Sequence, residues 1–259
     1  LPKTIDTIYH FAAQSSGEVS FENPLRDIEI NYKATYNMLK LAEDKRSNRF
    51  IYASTMSVYG DISSNETGIS ETNECLPVSY YGCNKYASEK LIWFYTKEKP
   101  IIPTILRLFS VYGPGQNMSN MKQGMISIYL SYIMKNKTII VKGNLDRMRD
   151  FIYIGDLIYT VVACEDNEIT YNKCFNLGSG TKTTIEELLT VILKIFGKSD
   201  FNKWIKNEGN TPGDIKGFFA DISKIKNALC WVPEYSINSG IKEMKNWINS
   251  TNIQLNESK

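Results

Sequence analysis

The chain carries two kinds of hydrophobic pattern. Residues 50–53 (Phe50, Ile51, Tyr52, Ala53) form a β-prone apolar run that stops abruptly at the hydroxyls of Ser54, Thr55 and Ser57. Such a run predicts a strand buried on both faces, whose carboxyl end opens into a crevice of an open parallel sheet. Residues 101–108 and 173–177 predict further strands. Ahead of them, Ile28, Tyr32, Thr35, Leu39 and Ala42 recur at helical spacing and predict an amphipathic helix with these five positions inward. A second helix is predicted to start near Tyr81 and to continue through Leu91 and Tyr95. Past Gly113 the elements shorten to a helix near 125–134 and a strand at 139–141. Thr183 with Glu186 reads as a capping box for a helix over 185–196 that Gly197 stops, and Ser223 and Ser239 read as the starts of two last helices. No internal repeat or low-complexity tract interrupts this order.

Composition narrows the function classes. The 259 residues are 42% apolar with a net charge of +2, enough for a substantial core and too evenly charged to suggest nucleic-acid or membrane binding. No run is long enough to span a bilayer and no signal-peptide pattern opens the chain, so a soluble cytoplasmic protein is expected. Cys75, Cys83, Cys164, Cys174 and Cys230 lack paired close spacing, which suggests neither disulfides nor a zinc site, and no metal is expected. His10 is the only histidine and reads as a packing residue at a strand end, which removes most hydrolase arrangements. Asn65-Glu66-Thr67 matches a glycosylation acceptor, a chance product of an Asn-rich chain.

The candidate chemistry lies in residues 54–85. Tyr81 and Lys85 share one helical face, and a nearby ammonium lowers an acid's pKa by roughly 1–3 units, which would bring a phenol toward use as a base. Ser/Thr followed by Tyr-x-x-x-Lys resembles the catalytic set of the short-chain dehydrogenase/reductase superfamily. Ala53-Ser54-Thr55-Met56-Ser57-Val58-Tyr59-Gly60-Asp61, Tyr80-Tyr81-Gly82-Cys83-Asn84-Lys85 and Arg107-Leu108-Phe109-Ser110-Val111-Tyr112-Gly113-Pro114-Gly115 resemble its extended branch, the nucleotide-sugar epimerases and dehydratases. Arg149-Asp150-Phe151 adds a fourth word, and the likeness runs from Asp6 to Trp247.

The resemblance implies an α/β fold: a Rossmann-like doubly wound parallel sheet with a smaller α/β substrate-binding domain. The expected division is 1–112 for the NAD-binding part and 113–259 mainly for the substrate, with about 150–180 returning to the sheet. It implies catalysis by Thr55, Tyr81 and Lys85, and NAD contacts from Phe11, Ala12, Ala13, Asn31, Tyr81, Lys85 and Leu108. Nucleotide-sugar contacts are implied for Thr55, Ser110, Gly124, Met125, Ile140, Lys142 and Arg149. Core packing is the alternative for Phe11, Ala12 and Leu108, and a surface salt bridge for Arg149. Tyr59 is the local rival to Tyr81 as base, but no lysine follows it by four. A homodimer through the helices near 28–44 and 81–95 is implied as well.

Several departures shape the expected activity. The family's dehydratases carry Asp-Glu after the Ser/Thr, whereas this chain has Met56 and Ser57, neither suited to proton exchange, so a 4-epimerase working through a 4-keto sugar is favoured. A 4,6-dehydratase or reductase, and a non-catalytic binding or scaffold relative, are the alternatives. Ser110 stands where relatives have asparagine, Ala34 where they have glycine, and Thr211 where an arginine precedes Pro212-Gly213-Asp214. No Gly-x-x-Gly-x-x-Gly turn occurs, and Gly113-Pro114-Gly115 does not replace it because Pro114 lacks an amide donor. The first βαβ units are therefore expected to lie in a longer gene product.

Overall fold

Four apolar runs of the chain become one parallel sheet in the order β1-β2-β3-β8 in the computed structural model, which describes residues 2–62, 68–209 and 217–251. The Asn65–Thr67 and Thr211–Asp214 features lie outside these residues. In chain order the strands are β1 (Thr7–His10), β2 (Arg49–Thr55), β3 (Ile102–Leu108), β4 (Ser110–Tyr112), β5 (Ile139–Val141), β6 (Met148–Arg149), β7 (Phe151–Tyr153), β8 (Lys173–Leu177), β9 (Thr183–Thr184) and β10 (Ile205–Asn207). The α-helices are α1 (Gly17–Glu22), α2 (Pro24–Asp27), α3 (Ala34–Asp44), α4 (Tyr80–Thr96), α5 (Met125–Met134), α6 (Ile154–Ala163), α7 (Ile185–Ile195), α8 (Phe201–Trp204), α9 (Ser223–Leu229) and α10 (Ile237–Thr251).

All seven residues of β2 are buried, as a strand flanked on both edges and covered on both faces must be. Its side chains alternate between two cores. Phe50 and Tyr52 pack with Leu39 of α3 and Ile92 of α4, whereas Ile51 packs with Leu157 of α6, Phe175 of β8 and Trp231. The register brings Thr55, Leu108 and Leu177 level at the carboxyl edge. There the chain continues into β4, which pairs with β7, so residues from several crossovers meet over that edge. A separate core of α5, α7 and α10 residues, including Leu130, Leu189 and Met244, forms beside it. Among the described residues no helix is long and apolar enough to cross a membrane, and no three or more His, Cys, Asp or Glu side chains are grouped so as to hold a metal ion.

Three local expectations need correction. The capping box is Thr184 with Glu187: Glu187 N donates to Thr184 Oγ1 at 3.1 Å and Thr184 N to Glu187 Oε2 at 2.7 Å. Thr183 pairs with Arg149 across β6 and β9; the capping pair falls one residue later than expected, while the helix itself starts at Ile185 as expected. Ser223 begins α9 as expected, its amide donating to Asp221 Oδ1 at 2.9 Å, whereas Ser239 lies inside α10, where its amide donates to Ser236 Oγ at 3.2 Å. Asp221 and Ser236 thus each accept an orphan amide in the first turn of their helix.

The third concerns the inward stripe of the first long helix. Residues Ile28–Lys33 form a π-helical turn between α2 and α3. Thr35, Leu39 and Ala42 are buried as expected, but Ile28 and Tyr32 are exposed and Asn31 is buried in their place. The wider turn inserts a residue into the helical phase and redirects the positions before it.

Candidate functional site

Thr55 ends β2, and its Oγ1 accepts the amide of Ser57 at 3.2 Å, capping the short 3₁₀ turn Met56–Val58. The first turn of α4 lies directly against this turn. Ser79 caps α4 by accepting the Gly82 amide at 3.1 Å, and a Cβ on Gly82 would stand 2.6 Å from the Ser57 carbonyl oxygen. Glycine at 82 is thus what allows Tyr81 to reach the end of β2. Gly82→Ala is expected to lower stability by about 1–3 kcal/mol through this overlap, measured by urea unfolding; an unchanged midpoint would show that the two turns separate at no cost.

The Tyr81 phenol is hydrogen-bonded with Thr55 and buried, 8% exposed. Burial pushes its pKa up to about 12; the Thr55 bond opposes this and the Asp27 charge adds to it. One turn further on, Lys85 is 3% exposed and its Nζ lies 4.1 Å from the centre of the Tyr52 ring. Burial pushes Lys85 down to about 7, against the pull of Glu89 and Asp27. The expectation that Lys85 brings the phenol toward neutrality is therefore corrected. The ammonium sits over the Tyr52 ring, and desolvation dominates both groups.

These side chains open into a cavity of ≈ 450 Å³. Its wall brings together nine of the expected site residues: Phe11, Ala13, Thr55, Tyr81, Lys85, Leu108, Ser110, Gly124 and Met125. Ala12 is exposed and does not line it. Asn31 is buried beneath the wall, donating from Nδ2 to Gln14 O at 3.0 Å, with Oδ1 left without a partner. Ile140, Lys142 and Arg149 do not line the cavity. Ile140 is in β5, Lys142 is exposed and reaches toward Glu18 at 3.5 Å, and Arg149 is buried in β6, where it donates to Met148 O at 2.7 Å. Burial and the neighbouring Arg147 charge hold the Arg149 guanidinium down to about 10.

Other side chains prove uninvolved or unforeseen. Tyr59, the rival base, is fully buried, donates to Asn176 Oδ1 at 2.6 Å and accepts from Arg107 at 3.0 Å, away from the cavity. His10 is paired with Thr35 at 3.0 Å. Because the Thr35 hydroxyl donates to Asn31 O at 2.6 Å, His10 Nε2 must be the donor to it. Burial first, and then the Lys85 charge, push His10 down to about 4, so it is neutral at physiological pH. Gln116 and Gln123 line the cavity and were not foreseen; Gln116 Oε1 is buried without a hydrogen-bond partner. Their only sequence signal is proximity to Gly115 and Gly124.

Comparison with known proteins follows this geometry. The family model described as GDP-mannose 4,6 dehydratase matches residues 2–244. A putative UDP-glucose 4-epimerase of Methanocaldococcus jannaschii is 31% identical over 96% of this chain and 79% of its own length. The structure of UDP-glucose 4-epimerase from Thermotoga maritima with UDP-glucose superposes with a TM-score of 0.89 at 26% identity, covering 96% of this chain and 78% of that one. That of UDP-glucuronic acid 4-epimerase from Bacillus cereus, in complex with UDP-glucuronic acid and NAD, superposes at 0.86 with 29% identity, covering 95% and 76%. With the family model matching almost the whole chain and a relative 31% identical, the chain belongs to the NAD-dependent epimerase/dehydratase family, in its GDP-mannose 4,6-dehydratase-like group.

Proposed function

We propose that the protein is an NAD-dependent nucleotide-sugar 4-epimerase that acts on a UDP-sugar. The observation that carries this reading is the composition of the cavity wall. Thr55, Tyr81 and Lys85 converge on it, and among the described residues that line it there is no carboxylate. A 4,6-dehydratase must also take a proton from C5 and expel the C6 hydroxyl, which calls for a further acid and base. The positions next to Thr55 offer only Met56 and Ser57.

In this mechanism Thr55 orients the C4 hydroxyl of the sugar and Tyr81 accepts its proton. Lys85, one turn away, shares the proton balance of the phenol. Bound NAD supplies the acceptor and later the donor of the C4 hydride, so no net redox change results. The residues present suit its ribose: the Lys85 ammonium and the unpartnered Asn31 Oδ1 are buried groups able to bind hydroxyls. Phe11, Ala13 and Leu108 offer apolar surface for a nicotinamide ring. Ser110, Gly124, Met125 and Gln116 face the sugar side, and Ile140, Lys142 and Arg149 would meet the nucleotide from outside the cavity wall, Arg149 as the diphosphate ligand.

Two further readings belong to this proposal. Ile28, Tyr32, Tyr36 and Phe94 are exposed on or beside α3 and α4, which suits a homodimer through these helices. Five free cysteines suit a reducing cytoplasm. The test is to purify the full gene product, assay nicotinamide released on denaturation, and follow UDP-glucose, UDP-galactose and UDP-glucuronate by proton NMR. Bound NAD and appearance of a C4 epimer without accumulation of reduced cofactor are expected. UDP-sugar binding with neither NAD nor epimer would leave a non-catalytic binding protein.

A further inference from the structure

Asp27 is the last residue of α2 and is 1% exposed, a depth at which a carboxylate must be partnered. Its Oδ1 accepts from Asn84 Nδ2 at 2.7 Å and its Oδ2 from Gln14 Nε2 at 2.6 Å. Asn84 immediately precedes Lys85 in the Tyr-x-x-x-Lys segment, and Gln14 immediately follows Ala13 of the cavity wall. Both donors are neutral amides, so they satisfy the oxygens without cancelling the charge. Glu89, the other buried carboxylate near Lys85, differs. Its two oxygens bind Arg107 at 3.0 and 2.8 Å. The groups acting on Lys85 are thus Glu89 from its own helix, Tyr52 of β2, His10 of β1 and Asp27 of α2, with Tyr81 one turn before it on α4. Of these, His10 is neutral and Glu89 is already joined to a cation, which leaves Asp27 as the uncompensated charge.

We propose that Asp27 is a positioning residue for proton transfer: it ties the cavity turn to α4 through Gln14 and Asn84, and its negative charge holds a proton on the Tyr81–Lys85 pair. This rests on the reading of that pair as the proton-transfer unit. The electrostatic direction agrees at both members, since the Asp27 charge raises the pKa of Lys85 and of Tyr81. The sign follows directly. Removing the charge lets the pair release its proton at lower pH, so the pH at which the site becomes competent as a base falls.

The experiment uses the full gene product labelled with ¹³Cε-lysine, the Lys85 resonance being identified by its loss in Lys85→Met. Its titration is compared in the parent protein, D27N and D27E. A midpoint near about 7 is expected in the parent, lower by about one pH unit or more in D27N, and returned toward the parent value in D27E. The acidic limb of kcat should move with it. Should D27N not fold, D27S removes the same charge with a smaller side chain. An unchanged midpoint in whichever neutral variant folds overturns the proposal. Because the resonance requires no turnover, the two ideas separate. An unchanged midpoint in an active epimerase removes the role of Asp27 alone, whereas a shifted midpoint in a protein that epimerises nothing retains the charge effect and removes the catalytic reading.

Discussion

Replacing Tyr81 by phenylalanine is expected to lower kcat by about 10²- to 10⁴-fold, the usual contribution of a positioned proton acceptor, while UDP-sugar affinity is retained. The phenyl ring fills the same buried site and removes only the oxygen that meets Thr55. A loss confined to KM would show that Tyr81 binds rather than reacts. The pH profile carries more information. With Lys85 near about 7 and Tyr81 near about 12, the pair holds one proton between these values and two below them. A phenolate beside an ammonium and a phenol beside an amine have the same proton count, so the rate reports the pair and not either residue. Activity should therefore rise with pH through about 7, where the first proton leaves the pair. Lys85→Met removes this step, and the acidic limb should move up toward that of the isolated buried phenol. A limb left in place would assign it to another group.

Arg107→Leu should destabilise the protein by about 3–5 kcal/mol, because it strands a buried carboxylate. Glu89 is 2% exposed and receives Arg107 at two oxygens, with Ser54 Oγ donating to one of them. Arg107 also donates to Tyr59 OH at 3.0 Å, which itself donates to Asn176 of β8. The network therefore ties β2, α4, β3 and β8 together directly below the residues that end in the cavity. After the substitution Glu89 retains only a hydroxyl, and its charge falls on Lys85 without compensation. A double variant, Arg107→Leu with Glu89→Leu, should recover much of the loss, since it removes both charges from the interior. Urea unfolding of the two single variants and the pair tests this. A single variant as stable as the parent would mean that water reaches the pair.

Strands β2, β3, β5 and β8, and most of the candidate site segment, were legible in the sequence; β4, β6, β7, β9 and β10 were not. Apolar runs without alternation marked β2, β3 and β8, and the hydroxyls at the end of β2 marked the cavity mouth. Tyr81 and Lys85 were found through helical spacing, which also held one turn further for Glu89 but was not extended to it. What escaped depends on side chains that meet only in the folded chain. Nothing local to Asp27 tells that two amides from different segments close on it. The capping pair slipped by one residue where Thr183 and Thr184 were equally suited to cap, the folded chain using Thr184 with Glu187. Arg107 reads as one basic residue within an apolar strand; its partner is on a helix that precedes it. The pKa direction expected for Tyr81 failed because proximity in sequence carries no measure of desolvation.

The π-helical turn before α3 has a consequence for how this part of the molecule can change. Each residue added to a helix rotates everything beyond it by about 100°, so an extra residue normally turns a packed face toward solvent. Here the broad turn absorbs that rotation within six residues, Ile28–Lys33, and α3 keeps Leu39 and Ala42 against the sheet. Upstream, the same swivel delivers Asn31 to the interior and leaves two large apolar side chains looking outward. A single angular defect thus assigns opposite allegiances to neighbouring residues: one belongs to the interior beneath the cavity wall, and those flanking it to whatever the outer surface meets.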